Sequence, residues 1–367
     1  MGKTKIIPKS ESEKPSLFYD YNWILSKNRL FSWVMGLRGG GKTYGATKLA
    51  IDNFLKKGEK TIWVRRYGVE MDGQFFTEFF TDMYDLYPDY EFQIRRIGNG
   101  NANAYIREKR EDGKGEWREF MFFMALSLAL KHKSTNLNEY TMIFCDEWVI
   151  DEKASNLSYI NGWDEPFIFY EFVESVIRLR DNVRIIFASN ALTSINPYFS
   201  DWGIEVPSDA EWVMTDDVCV HNYTNTLYKE KKLETRWGRF LDGTRYGAYN
   251  MDNEYFKDEE GFVCEKGENA KWFCNIILYK DKYGVWSDPD RNVLWIGDPE
   301  PNGKRNYCFL TEDMKPNYYQ IDHAMGVDEM NLGRELVKAW KNGYLYFRDY
   351  ETQTKTLDLI GLLKKRK

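Results

Sequence analysis

Residues Gly36 to Thr43 read GLRGGGKT, glycine-rich and closed by a lysine and a hydroxyl. The stretch fits G-x-x-x-x-G-K-[ST], the pattern of a phosphate-cradling P-loop. Glycine at Gly36, Gly39, Gly40 and Gly41 lets backbone N–H groups converge on a phosphate with no Cβ in the way. Lys42 can reach the outer phosphates of a nucleotide, and the Thr43 hydroxyl can ligate Mg²⁺. Arg38 and Tyr44 complete the expected nucleotide-binding stretch. Farther along, the apolar run Tyr140 to Cys145 delivers Asp146 and Glu147. Asp146 would hold the Mg²⁺ shell, and Glu147 would polarise an attacking water. ATP and Mg²⁺ are the cofactors this set implies, and a Glu directly after the Asp favours hydrolysis coupled to work.

Weaker signals surround this set. Ser189 and Asn190 follow the apolar run Arg184 to Ala188, where a polar residue can sense the γ-phosphate. Arg178, Arg180 and Arg184 lie just before, and arginine suits the charge on a transferring phosphoryl group, in cis or from a neighbouring subunit. Lys131, His132 and Lys133 form a short basic loop that could touch DNA phosphates, with a solvated loop as the competing reading. Arg65 and Arg66, after Thr61 to Val64, read either as ion pairs or as phosphate-facing groups, and Arg65 joins the basic loop as an expected DNA contact.

The elements that must carry these residues alternate. Phe31 to Met35, Thr61 to Val64, Tyr140 to Cys145 and Arg184 to Ala188 are apolar runs with strand character. Lys42 to Lys56, Phe75 to Leu86 and Phe167 to Leu179 read as helices, and residues 91–124 as a β-hairpin decoration. Strand–helix alternation implies an α/β fold with a central parallel sheet, whose ligands sit at the carboxyl ends of the strands. After residue 205 the texture turns polar, and residues 206–256 read as a linker or small adapter. Short apolar runs between 261 and 311, a helix around Asp328 to Trp340 and a strand near Tyr344 to Phe347 suggest a smaller mixed α+β domain over 257–367. Residues 1–15 are polar and read as a disordered tail before an ATPase domain at 16–205.

Composition excludes several classes. With 367 residues, 43% apolar and 17% aromatic, the chain is a folded two-domain protein rather than a disordered one. A net charge of −6 argues against a nucleic-acid coat, though not against a local DNA contact. Five widely spaced cysteines and three unpaired histidines imply neither a disulfide framework nor a zinc site, so a reducing cytoplasm is expected. No signal peptide or membrane span is expected.

Several stretches together resemble one family. They are GLRGGGKTYGATK, WVRRYGVE, MIFCDEW, VIRLRDNVRIIFASNA, INPYF at Ile195 to Phe199 and GRFLDGTRYG at Gly238 to Gly247. The chain is similar to the genome-packaging ATPases (encapsidation proteins) of φ29-like tailed phages. The resemblance implies an ASCE P-loop fold (additional strand, catalytic glutamate) and a C-terminal domain like a vestigial RNase H-type nuclease. It implies a homo-oligomeric ring, expected as a pentamer, that moves double-stranded viral DNA into a procapsid through the portal protein. That ring would work in the cytoplasm of the infected bacterial host, docked at the portal vertex and absent from the mature virion. By position, Arg178 matches the trans-acting arginine finger and Lys133 the DNA-gripping loop. Where the family carries a lysine two residues after VRR, this chain has Gly68 after Tyr67. Some relatives dock through a packaging RNA, which the sequence leaves open. Competing readings are a nuclease-bearing terminase or helicase, and a nucleotide-dependent switch or scaffold without turnover.

Overall fold

The structure is a computed structural model. It describes residues 4–8, 17–98, 101–110, 115–132, 137–150, 158–160, 162–190, 193, 196–207, 209–251, 260–278, 281–309, 313–321 and 331–365. The chain forms two compact units, Met1–Asn161 with Glu165–Lys257, and Asp258–Lys367 with Gly162–Asp164.

The first unit is built on a ten-stranded sheet. Its strands are β1 (Lys5–Pro8), β2 (Phe31–Gly36), β3 (Lys60–Arg65), β4 (Tyr90–Gly98), β5 (Asn101–Glu108), β6 (Arg118–Ala125), β7 (Tyr140–Cys145), β8 (Arg184–Asn190), β9 (Ala210–Met214) and β10 (Val218–Tyr223). Their order is β1-β9-β10-β2-β8-β7-β3-β6-β5-β4. The six strands from β10 to β6 run parallel, and the pairs at each flank are antiparallel. Strand β8 is inserted between β2, which leads into the glycine loop, and β7, which leads into Asp146. That insertion is the additional strand of the expected fold class.

The central strands are apolar throughout because both faces are covered. Strand β2 (FSWVMG) is buried from Ser32 to Gly36. On one face Trp33 stacks on Phe187 at 4.6 Å and meets Tyr198, Phe199 and Trp202 edge-on or tilted. Such ring pairs add about 0.5–1.5 kcal/mol each beyond area burial. Trp33 Nε1 also donates to Ser189 Oγ at 2.9 Å, tying β2 to β8. On the other face the helix Lys42–Lys57 presents Ala46, Ala50, Ile51 and Phe54, spaced for one helical stripe. It stops at Gly58, whose left-handed φ of 72° lets its N–H bond Phe54 O.

Four expectations need correction. The tail is not structureless throughout: Lys5–Pro8 pairs antiparallel with β9, where Ile6 and Ile7 supply β-branched side chains in a polar stretch. The ATPase domain does not end at 205. Strands β9 and β10 belong to the sheet, and β10 lies directly beside β2, with Tyr223 opposite Gly36. Residues 91–124 are more than a decoration, because β6 is a buried parallel neighbour of β3. The helix foreseen over Phe75 to Leu86 is broken into Gly73–Glu78 and a 3₁₀ turn at Thr81–Met83. Of the stretch read as an adapter, the described part beyond β10 forms helices from Thr226 to Met251.

The second unit holds β11 (Lys271–Leu278), β12 (Asp281–Asp288), β13 (Val293–Gly297), β14 (Asn306–Cys308), β15 (Tyr319–Gln320) and β16 (Leu345–Phe347), in the order β15-β14-β11-β12-β13-β16. Strands β11, β12 and β13 are antiparallel, and β14 and β15 continue from β11 in parallel. Helices Leu332–Lys341 and Tyr350–Lys365 bury Leu336, Ala339, Leu359 and Ile360 in its core. No helix among the described residues is long and apolar enough to cross a membrane.

Candidate functional site

The carboxyl ends of β2, β8, β7 and β3 lie side by side. Gly36 pairs with Asn190, Cys145 with Phe187, and Val64 with Cys145. The loop after β2 therefore faces Asn190, Asp146, Glu147 and Arg65 at one edge.

The loop itself is a fitted cradle. Gly39 and Gly41 sit at φ 84° and 74°, in the left-handed region that favours glycine. A Cβ on Gly41 would meet the Phe18 ring at 2.5 Å, and one on Gly39 would meet the Tyr228 hydroxyl at 2.4 Å. The segment before β2 also holds the loop directly, since Tyr19 N donates to Gly40 O at 3.0 Å. Phe18 packs on Tyr44, with ring centroids 4.9 Å apart. Helix Lys42–Lys57 starts at this loop, so its free N–H groups and dipole favour an anion there.

Lys42 Nζ donates to Gly36 O (3.0 Å), Leu37 O (2.8 Å) and Asn190 Oδ1 (3.1 Å). Burial lowers its pKa to about 8, against the opposing pull of Asp146 and Glu147. Thr43 Oγ1 donates to Asp146 Oδ1 at 3.3 Å. Lysine ammonium, threonine hydroxyl and an almost fully buried aspartate thus converge on the mouth of a glycine cradle, a donor set that fits a nucleotide phosphate with its Mg²⁺.

Arg65 was expected at DNA and is found elsewhere. Its Nη2 donates to Asp146 Oδ2 at 2.7 Å, its Nη1 lies 3.6 Å from Glu147 Oε2, and its guanidinium packs over Phe75. The last residue of β3 points to the neighbouring strand end, where two carboxylates outcompete solvent for a cation. Ser189 is buried under Trp33 and does not face the loop, whereas Asn190 does. Lys131 and His132 close a 3₁₀ segment, Leu126–His132, and Lys133 lies outside the described residues.

The three arginines after Phe167 separate. Arg180 donates to Asn138 O and Val176 O, and Arg184 to Asn28 Oδ1 and to Asp181 and Val183 carbonyls. Arg178 is exposed and makes no side-chain hydrogen bond or ion pair among the described residues. It follows the helix Glu165–Ile177 at φ 49°, and the fully exposed Leu179 comes next. Five described non-glycine residues have left-handed backbone: Asn28, Asn292 and Asn317, plus Glu147 and Arg178. Asparagine tolerates that region. Glutamate and arginine there are strained, and such strain gathers at functional sites.

The sequence profile of the Podovirus DNA encapsidation protein (Gp16) matches residues 13–366. This chain belongs to that family. The DNA packaging protein of Bacillus phage phi29 is 29% identical over 334 residues, 90% of this chain and 93% of that one. That of Bacillus phage B103 is 28% identical over 326 residues, 88% and 94% of the two chains. A chain of the bacteriophage Phi-29 viral genome packaging motor assembly superposes with a TM-score of 0.69 at 27% identity, over 95% of this chain and all of that one. The match spans both units, so the encapsidation family accounts for the α+β unit as well as for the nucleotide site.

Sequence reasoning missed Glu165, which is fully buried against Arg66. A buried Glu at the start of a helix leaves no local signal, and its partner lies across the fold.

Proposed function

We propose that this chain is the ATP-hydrolysing subunit of a ring motor that translocates double-stranded viral DNA into a preformed procapsid. The observation that carries the reading is the pair of strained residues. Glu147 and Arg178, read as the water-activating residue and the trans-acting finger, are the described non-asparagine, non-glycine residues held at positive φ.

The residues divide the work as follows. The backbone from Gly36 to Gly41, with Arg38 and Tyr44 at its margins, cradles the phosphates, and Lys42 neutralises their outer oxygens. Thr43 and Asp146 would hold Mg²⁺, which when bound would offset phosphate charge. Glu147, 62% exposed at the side chain and 3.6 Å from Arg65, can take the proton of an attacking water. Asn190 shares Lys42 with the loop carbonyls, so any charge that draws Lys42 away also releases Asn190. In that way β8 senses the outer phosphate. Arg178 has no partner in its own described chain and completes a neighbour's site in trans.

Family membership supports a homo-oligomeric ring, taken here as a pentamer, docked on the portal protein in the cytoplasm of the infected host and absent from the mature virion. Lys131, His132 and Lys133 are assigned to the DNA phosphates. Ribonuclease treatment of assembled complexes tests whether a packaging RNA takes part.

The second unit is assigned as a vestigial RNase H-type domain without cutting activity. Its support is the strand order β13-β12-β11-β14-β15, three antiparallel strands followed by two parallel ones. At the junction, the buried pair Asn275 and Asn306 consists of amides, bonded at 3.2 Å. Two-metal cleavage needs carboxylates.

The test is ATP turnover by the protein with procapsids and DNA. Turnover lost in Glu147→Gln supports a motor. Nucleotide binding with no turnover in the parent would favour a switch, and DNA cleavage in Mn²⁺ a nuclease.

A further inference from the structure

Arg65 and Arg66 are neighbours at the end of β3, so their side chains leave opposite faces of the sheet. Arg65 runs to the nucleotide side. Arg66 runs to the other side and is 1% exposed. There Nε and Nη2 donate to the two oxygens of Glu165 at 2.7 and 2.9 Å. Nη2 also donates to the main-chain oxygen of Trp148 at 2.8 Å. The guanidinium lies 4.8 Å from the ring centroids of both Trp148 and Tyr159. Glu165 is fully buried and accepts two further bonds, from Ile160 N at 2.7 Å and from the Tyr198 hydroxyl at 3.0 Å.

Trp148 directly follows Glu147, whose φ is 55°. A strained residue of this kind persists only where its surroundings over-determine it. Three bonds do so here. Asp146 N is tied to Val64 O at 3.0 Å and Trp148 N to Ala188 O at 3.0 Å, which anchors both sides of Glu147. The third, from Arg66 to Trp148 O, fixes the peptide plane beyond. A buried ion pair is a poor device for stability, because apolar replacements of similar volume are often neutral or stabilising. What this pair supplies is geometry.

We infer that Arg66, seated by Glu165, is a positioning residue for ATP hydrolysis: it holds the Trp148 carbonyl and thereby keeps Glu147 presented to the nucleotide. Glu165 also opens the helix that ends beside Arg178, so one ion pair links the corner bearing Glu147 to the helix bearing the arginine finger. The inference rests on the reading of Glu147 as the water-activating residue.

Two variants test it. Arg66→Lys keeps the charge beside Glu165 but lacks the planar fork that serves Glu165 and Trp148 together. Arg66→Met with Glu165→Leu removes the pair as a unit and leaves no unpaired buried charge. Three quantities are read: turnover, affinity for a fluorescent ATP analogue, and amide exchange of the segment Cys145–Ile150 in the nucleotide-free protein. Both variants should bind the analogue within about twofold of the parent, lose about tenfold or more in kcat, and exchange the Trp148 amide faster. Added to Glu147→Gln, Arg66→Lys should cost no further turnover. Folded Arg66→Lys protein with parental kcat and parental exchange would overturn the inference. So would a loss of affinity matching the loss of kcat, since that marks general damage to the fold. Glu147→Gln with parental turnover would instead overturn the reading on which the inference rests.

Discussion

Arg65 Nη2 lies 2.7 Å from Asp146 Oδ2, so the carboxylate assigned to the magnesium shell already carries an arginine counter-charge. Asp146 is 3% exposed and cannot replace that partner with water. Arg65→Ala should cost the nucleotide-free protein about 1–3 kcal/mol. Mg²⁺ with ADP should restore more stability to the variant than to the parent, read as the shift in thermal midpoint on ligand addition. The salt dependence of DNA binding should not change, because no phosphate contact is lost. A reduced salt slope would return Arg65 to the DNA.

Lys42 sets a pH dependence on binding. Burial lowers its pKa to about 8 in the free protein. A bound phosphate favours the charged form and raises that pKa again. Above about pH 8 the free protein has therefore lost a proton that the complex retains. Binding takes up a proton there, and affinity falls as pH rises, by up to about tenfold per pH unit. Below that range affinity is flat. Calorimetry in two buffers of different ionisation enthalpy at about pH 8.5 measures the uptake, and none would show that Lys42 does not meet the phosphate.

Arg178 and Arg180 should separate experimentally. Arg178→Ala should leave folding and nucleotide binding intact, because the exposed side chain makes no hydrogen bond or ion pair among the described residues, yet abolish turnover in assembled rings. Mixed rings should lose activity faster than in proportion to the variant added. Arg180→Ala gives up bonds to Asn138 O and Val176 O and should lower stability by about 1 kcal/mol with turnover largely kept. Proportional loss in mixed Arg178→Ala rings would remove the trans role.

Gly41→Ala should fail at the cradle. The substitution meets both a φ of 74° and the Phe18 ring at 2.5 Å. Nucleotide affinity should drop at least about tenfold while the thermal midpoint falls only modestly. Unchanged affinity would mean the loop is not the phosphate site.

How much of this was legible in the sequence depends on how each residue is buried. The runs FSWVM, YTMIFC and RIIFA announce strands because they are covered on both faces, and they lead into the glycine loop, Asp146 and Asn190. Strand β10 is as deeply buried, but its centre is His221 and Asn222, which look like loop chemistry. Inside the fold His221 stacks on Trp212 at 3.7 Å and bonds the Tyr19 hydroxyl at 2.8 Å, with burial lowering its pKa. Its polarity is satisfied by tertiary partners that no local window contains.

The final helix, Tyr350–Lys365, went unseen for a related reason. Its inner stripe starts with Thr352 and Thr356 before reaching Leu359, Ile360 and Leu363, so half of a buried face reads as polar. At the site, the P-loop, Asp146–Glu147 and Asn190 follow from local pattern. The split of Arg65 and Arg66 to opposite sides of β3 follows from strand alternation, but their partners, Asp146 and Glu165, lie far along the chain.

The central claim is that hydrolysis at this site drives DNA into a procapsid. Its most direct measurement is nuclease-protected DNA per procapsid after addition of ATP, compared for the parent chain and Glu147→Gln at matched ring occupancy. The parent should protect a full genome, and Glu147→Gln should bind ATP yet protect none. Protection by Glu147→Gln at the parental rate would contradict the account.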